Sequence, residues 1–252
     1  MSRKPLRLGV AGWGIASRYL GEIPSGGSHL ERYSKVFSAA EITTSFYRHH
    51  QLSTYERWAH SVGAGFRFSV KTPQALTHEG ALVHSRSAVL DRFVAEVAGL
   101  GKKLRAVLVQ LPPSLEFIAS DSAKFFKRLR RSVPPAVALV CEPRHPSWSS
   151  DAADALFKDL GVSRAAADPA RWSQDAAPGG DLRLAYFRMH GSPRIYFSDY
   201  EPAALEILER QLRVATHHSE EVWCIFDNTA HGHAIGNALS LQRALKTGSN
   251  SS

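Results

Sequence analysis

Cysteine is scarce in this chain of 252 residues: Cys141 and Cys224 are the only two, each inside an apolar run. Two such thiols exclude a disulfide-stapled secreted scaffold and suit a reducing cytoplasm. Long apolar runs are missing as well. The opening MSRKPLRLGVAGWGIASRYL imitates a signal peptide, with a basic start and a short apolar stretch. Gly12-Trp13-Gly14 interrupts it, so it reads as a first strand. No later segment approaches the length of a membrane span, and no membrane partner is expected. No repeat or composition break divides the chain. One domain over 1–247 is expected, with 248–252 as a disordered tail. The Gly-rich phosphate turn of dinucleotide-binding sheets is absent after the first strand, and so is any local metal motif such as His-Glu-x-x-His.

What is present is ordinary globular composition, 44% apolar and 21% charged, which excludes disorder as the ground state. Lysine and arginine outnumber the acids by 31 to 23, for a net charge of +8. That excess favours anionic partners: phosphorylated metabolites, an acidic surface or nucleic acid.

Short apolar segments recur at Leu6–Ala11, Glu41–Phe46, Phe66–Lys71, Ala106–Leu111, Val137–Glu142, Ser163–Ala167, Leu184–His190 and Val222–Asp227. Helically spaced stretches such as STYERWAHSV, DSAKFFKRLRRSV and EPAALEILERQLRVATH lie between most of them. Ser53 and Ser150 read as helix N-caps, and Gly101 and Gly161 as stops. Eight strands alternating with helices over about 250 residues predict a single (β/α)8 barrel of the TIM type. Strand parity then selects the inward residues. In FRFSVK, Ser69 and Lys71 face inward; in LAYFRMHG, Tyr186, Arg188 and His190 do; in ALVCE, Glu142 comes last on the inner face. Gln110 holds the equivalent place before Pro112-Pro113. Several independent strands thus bring polar residues to one rim, the carboxyl end, where barrel active sites are built.

The segments GVAGWG, EITTSFYR, FRFSVKTPQALTHE, LVQLPPS, CEPRHPSW, YFRMHGSPRIYF and FDNTAHGHAIGNAL occur in that order. Together they resemble the YecE-like family, domain of unknown function 72, over about residues 6–246. The resemblance implies a TIM barrel in a bacterial-type cytoplasmic protein and supplies no reaction. Thr43 stands where that family usually has Asn, Pro143 where Phe is common, and Asp227 where Asn is common.

Four chemistries fit the rim. Lys71, Arg144 and Arg188, with Arg48 and Arg194 near, would cradle an anion. Glu142 and His190, helped by Lys71, would carry proton transfer. Glu142, Asp168, His190 and Asp227, with His231 and His233 downstream, are types that hold a divalent metal, although the neighbouring cations oppose it. Aromatic residues, among them Trp13, Tyr47, Trp148 and Tyr196, would stack on a base or sugar. The reading carried forward is a pocket for a small anionic, phosphorylated or sugar-like substrate. In it Glu142, His190 and Lys71 are catalytic, and Arg144, His145, Arg188, Gln110, Tyr47, Trp13, Asp227 and Asn228 bind. No cofactor is expected, with a divalent metal as the alternative. A nucleic-acid-processing barrel of the endonuclease IV type, and a non-catalytic binding protein, are the alternative functions.

Overall fold

The computed structural model describes residues 4–79, 82 and 87–247; the tail expected over 248–252 lies outside them. Strands form where apolar residues serve both faces of the chain, as a buried parallel sheet requires. β1 (Leu6–Ala11), β2 (Ala39–Ile42), β3 (Arg67–Lys71), β4 (Leu104–Gln110) and β5 (Ala138–Glu142) run parallel, side by side. β6 (Val162–Arg164) pairs with β5. One residue further on, β7 (Ala166–Asp168) pairs with the strand over Leu184–Met189. β8 (Gly179–Gly180) is a short antiparallel addition to β6. β9 (Leu184–Met189) is followed by β10 (Glu221–Phe226), which lies against β1. β6 and β7 are two halves of one stave, and through it the ring closes with eight staves. The protein is a (β/α)8 barrel.

The outer core lies between staves and helices. α1 (His29–Ser34), α2 (Leu52–His60) and the short α3 (Gln74–Thr77) precede α4 (Ser87–Val97), α5 (Ala119–Ser132) and α6 (Asp151–Leu160). α7 (Pro202–His218) and α8 (His233–Thr247) follow β9 and β10. Among the described residues no α-helix follows β7, so Leu182, Ile207 and Val214 stay exposed beside Phe187. Inside the ring, Ala39, Ala106, Leu108, Val140, Ala165, Leu184, Tyr186, Trp223 and Ile225 form a second apolar cluster. The parity expected for β3, β5 and β9 therefore holds.

Three local expectations change. The second strand ends at Ile42 instead of Phe46. Ser45 Oγ donates to the carbonyls of Ile42 (3.2 Å) and Lys71 (2.6 Å), a local alternative to the ladder that turns 44–46 into a 3-10 helix. The sixth strand is interrupted at Ala165, whose N–H still reaches the Cys141 carbonyl. Ser53 is no cap, because α2 already begins at Leu52. Ser150 does cap α6, accepting from Ala153 N–H at 3.3 Å, and Gly161 ends that helix at φ 62°.

A tyrosine fastens β1 to β2. The Tyr33 hydroxyl accepts from Val10 N–H at 2.8 Å and donates to the Ala39 carbonyl at 2.7 Å, fully buried. It fills a gap in the ladder that backbone alone leaves open. Tyr33→Phe should strand both groups and cost about 2 kcal/mol, read as a lower urea midpoint at unchanged slope. An unchanged midpoint would show that the bridge contributes nothing.

Candidate functional site

The barrel interior changes character toward the carboxyl ends of its strands. Tyr186 stacks on Trp223 with ring centroids 5.7 Å apart. Its hydroxyl meets Ser69 Oγ at 2.6 Å and donates to Glu41 Oε2 at 2.9 Å. Above this, β9 delivers Arg188, only 1% exposed. Its Nε and Nη2 donate to the two Glu41 oxygens at 3.1 and 2.6 Å. Nη1 donates to Glu142 Oε2 at 2.5 Å, and Nη2 also reaches Asp227 Oδ2 at 2.9 Å. Four of its five N–H groups are thus on carboxylates from three staves.

His190 completes the layer. Nδ1 lies 3.0 Å from Asp227 Oδ2, and Nε2 lies 3.2 Å from both Glu142 oxygens. Both ring nitrogens face carboxylate, which favours the doubly protonated imidazolium; Arg188 Nη1, 3.4 Å from Nε2, opposes it. Burial opposes that charge, but Glu142 chiefly outweighs it and raises His190 above its ordinary value. Burial alone would raise Glu142 too, yet Arg188, then His190 and Arg144, hold its carboxyl well below the usual range. Asp227 is lowered in the same way, by Arg188 and His190 against burial. Arg144 closes over the top, with Nε 2.9 Å from Glu142 Oε1.

This arrangement redistributes the expected roles. Arg188 was expected to hold a substrate anion; its donors are consumed and it has almost no exposed surface. Glu142 was expected to act as a base; it is ionised, but both oxygens already accept charged donors, which leaves it weakly basic. Glu41 joins the layer as Arg188's bidentate partner. Lys71 stands apart. Among the described residues no carboxylate pairs directly with its amine, which sits 3.8 Å from the Phe46 ring centroid. The residue is 9% exposed at the end of β3. Burial first, and the Arg188 charge second, bring it down to about 8.

The remaining candidates divide. Gln110 sits beside Glu142 in register on β4, buried, and its Oε1 has no hydrogen-bond partner. His145 turns away to cap the 3-10 turn over 146–149, meeting Ser147 Oγ at 2.8 Å. Asn228 is a fastener. Its Nδ2 donates to the Ser198 carbonyl and Asn237 Oδ1, at 2.9 and 2.8 Å, tying the loop after β9 to α8. Tyr47 is 75% exposed. Trp13 packs edge-on against Trp58, ring centroids 5.1 Å apart. Arg194 stacks on Phe197. The metal candidates split: Glu142, His190 and Asp227 meet in the layer but are engaged there with Arg188 and with one another, whereas Asp168 accepts from the Tyr200 hydroxyl at 2.7 Å, His231 packs on Phe197, and His233 lies 3.2 Å from Asp199. No group of three or more His, Cys, Asp or Glu that could hold a metal ion occurs among the described residues.

The sequence did not single out His78, and it offered Tyr196 only as a stacking aromatic. His78 packs edge-on against the Phe46 ring at 5.0 Å, and burial, then Lys71 and Arg144, lower it. It follows β3 by a few residues in a segment with no periodic signal, so only the fold brings it near. Tyr196, at φ 72°, sets its ring 5.8 Å from His190 and its hydroxyl 3.5 Å from Arg144 Nη2. Its identity as a rim aromatic was legible; its left-handed backbone was not.

The charged layer lies at the carboxyl mouth of a closed parallel barrel, the face on which TIM-barrel active sites are built. This chain belongs to the family described as protein of unknown function DUF72, whose model matches residues 7–251. A DUF72 family protein from Enterococcus faecalis is 21% identical over 98% of this chain and 99% of its own, with a TM-score of 0.79. Another from Thermotoga maritima is 21% identical over 96% and 99%, with a TM-score of 0.77. A sugar phosphate isomerase/epimerase from Parabacteroides distasonis is 14% identical over 97% and 94%, with a TM-score of 0.53. At these identities the likeness is one of fold. No curated protein matches the chain. No helix among the described residues is long and apolar enough to cross a membrane.

Removing Arg188 leaves three buried carboxylates without their shared cation. Arg188→Ala should therefore lower stability by about 3–5 kcal/mol, where a ligand-contact residue would leave folding intact. The pH profile follows from the same layer. Glu142 and Asp227 are depressed, so their stabilisation is full above their ordinary values of 4.5 and 3.8 and is lost as pH falls through the folded values. His190 is raised, so its contribution is full below 6.5 and is lost as pH rises through its folded value. Urea midpoints measured across pH should fall on both sides, and Asp227→Asn should flatten the acid side. A wild-type midpoint flat across the acid range would contradict the network.

Proposed function

We propose that the mouth of this barrel binds a small hydroxylated, anionic substrate, phosphorylated or sugar-like, and transforms it by proton transfer at Lys71. The observation that carries the reading is the amine at the carboxyl end of β3, which pairs with no carboxylate among the described residues, together with a buried acceptor at the end of β4. Among the described residues, Gln110 Oε1 has no hydrogen-bond partner. A buried acceptor without a donor costs about 1–3 kcal/mol, and substrate hydroxyls would supply the donors. Arg144, at the solvent edge of the layer, takes the anionic group in this reading. Glu142 and His190 shift from carrying the proton to fixing the field around Lys71. An amine near 8 suits proton transfer near neutrality, because both of its forms are populated there. The nucleic-acid reading rests on the net charge of +8.

Thermal unfolding against a panel separates the readings. The panel holds inorganic phosphate, glucose 6-phosphate, dihydroxyacetone phosphate, glucose, a twelve-nucleotide DNA strand, and magnesium or zinc with and without chelator. A sugar phosphate at one hundred times its dissociation constant should add about 2.7 kcal/mol of stability. That shift should shrink in Lys71→Met and Arg144→Ala. A shift with DNA alone favours the nucleic-acid reading, and a loss on chelation favours metal chemistry; either outcome defeats the proposal.

Gln110→Leu gives a second check. Removing an unpartnered buried carbonyl should stabilise the free protein by about 1 kcal/mol while reducing the sugar phosphate shift. A destabilised free protein would mean that the carbonyl has an internal use.

A further inference from the structure

We infer that Lys71 is a covalent nucleophile, forming an imine with the open-chain carbonyl of a small phosphorylated aldose or ketose. The inference rests on the proposed mouth site and adds the form in which the substrate is held there.

The charge inventory of the layer carries it. Glu41, Glu142 and Asp227 supply three negative charges, and Arg188, Arg144 and the His190 imidazolium supply three positive ones, all in direct contact. The layer is neutral without Lys71. Protonating Lys71 would leave one unbalanced positive charge in a buried site, where charge is costly. The other cations of the layer each touch a carboxylate; among the described residues, the Lys71 amine touches none. It rests on the Phe46 ring face, with the His78 ring 5.0 Å from Phe46. A lysine recruited to hold a structural carboxylate would have taken one of the three that lie nearby. A desolvated amine beside another cation is the environment that frees the nitrogen lone pair. With the amine at about 8, about one tenth is neutral at pH 7, against well under one thousandth for an ordinary lysine.

The chemistry closes without an added reactant. The Nζ lone pair attacks the carbonyl carbon, and a C–N bond forms as the C=O π pair moves to oxygen. That oxygen takes a proton while the nitrogen loses one, giving a carbinolamine. A second protonation expels the hydroxyl as water, and the nitrogen lone pair forms the C=N bond. These protons exchange with water at the mouth, where Lys71 is 9% exposed, since Glu142 is saturated. Gln110 Oε1, without a partner among the described residues, would accept from a substrate hydroxyl.

The test is reductive trapping on the intact chain. Purified protein is incubated with dihydroxyacetone phosphate and sodium borohydride, then read by intact mass and by peptide mapping. The expected result is one adduct per chain on the Lys71 peptide, formed at least ten-fold faster than on any other lysine. Its rate should rise with pH through about 8. Lys71→Arg, which keeps the charge and removes the nucleophile, should abolish it in a protein that still unfolds cooperatively. An adduct spread evenly over the other lysines overturns the inference. No adduct, with dihydroxyacetone phosphate still raising the unfolding midpoint, overturns the imine and leaves the proton-transfer reading standing. No adduct and no midpoint shift with any sugar phosphate overturns both.

Discussion

A guanidinium buried in the middle of a barrel dictates much of what surrounds it. Arg188 has almost no contact with water, and its charge survives there only because carboxylates from β2, β5 and the end of β10 converge on it. Those three acids stand on staves far apart in sequence. Each must end at the right height and present the right face for the layer to close. A slip of one residue in any of them would turn its acid outward and leave a charge unpaired. The network thus contributes register as well as energy.

The same logic organises the barrel along its axis. At the opposite end Glu221 receives Arg7 and Arg105 as well as the Trp223 indole N–H, a second ionic layer made from the amino ends of the strands. Between the two lies an apolar layer of Leu108, Val140, Trp223 and Ile225. The Tyr186 hydroxyl joins the apolar layer to the upper ionic one through Glu41. Fixed charge at both ends and dry packing between them leave the chemically adjustable groups at the carboxyl rim.

Period-two alternation made most of this legible in the sequence. It put Ser69, Lys71, Glu142, Tyr186, Arg188 and His190 inside before any fold was known, because a side chain's face in a parallel strand follows from counting. Counting does not say how donors are shared. Arg188 looked like a ligand-binding cation because its partner Glu41 lies 147 positions away, beyond any local pattern. His145 looked like rim chemistry because its use as a cap depends on a turn that the two prolines set. The interruption at Ala165 and the two-residue β8 carry no periodicity at all, so they could not be read. His78 was overlooked for the opposite reason: its chemistry was visible, but its position depends on where a loop folds back.

Lys71 sits where the layer meets the mouth of the barrel, and its neutral surroundings give it an uncommon freedom. A layer whose six charges already cancel has no preferred sign for a seventh group beside it, so a bound ligand decides. An anion would draw a proton onto the amine, because a positive charge there would then be matched. A neutral carbonyl would react with the minority free base and draw the amine toward it. By linkage, each ligand must shift the amine's protonation by as much as the protonation shifts that ligand's affinity. Proton uptake on anion binding and proton release on carbonyl binding are therefore two faces of one construction: a nitrogen left outside a network that is balanced without it.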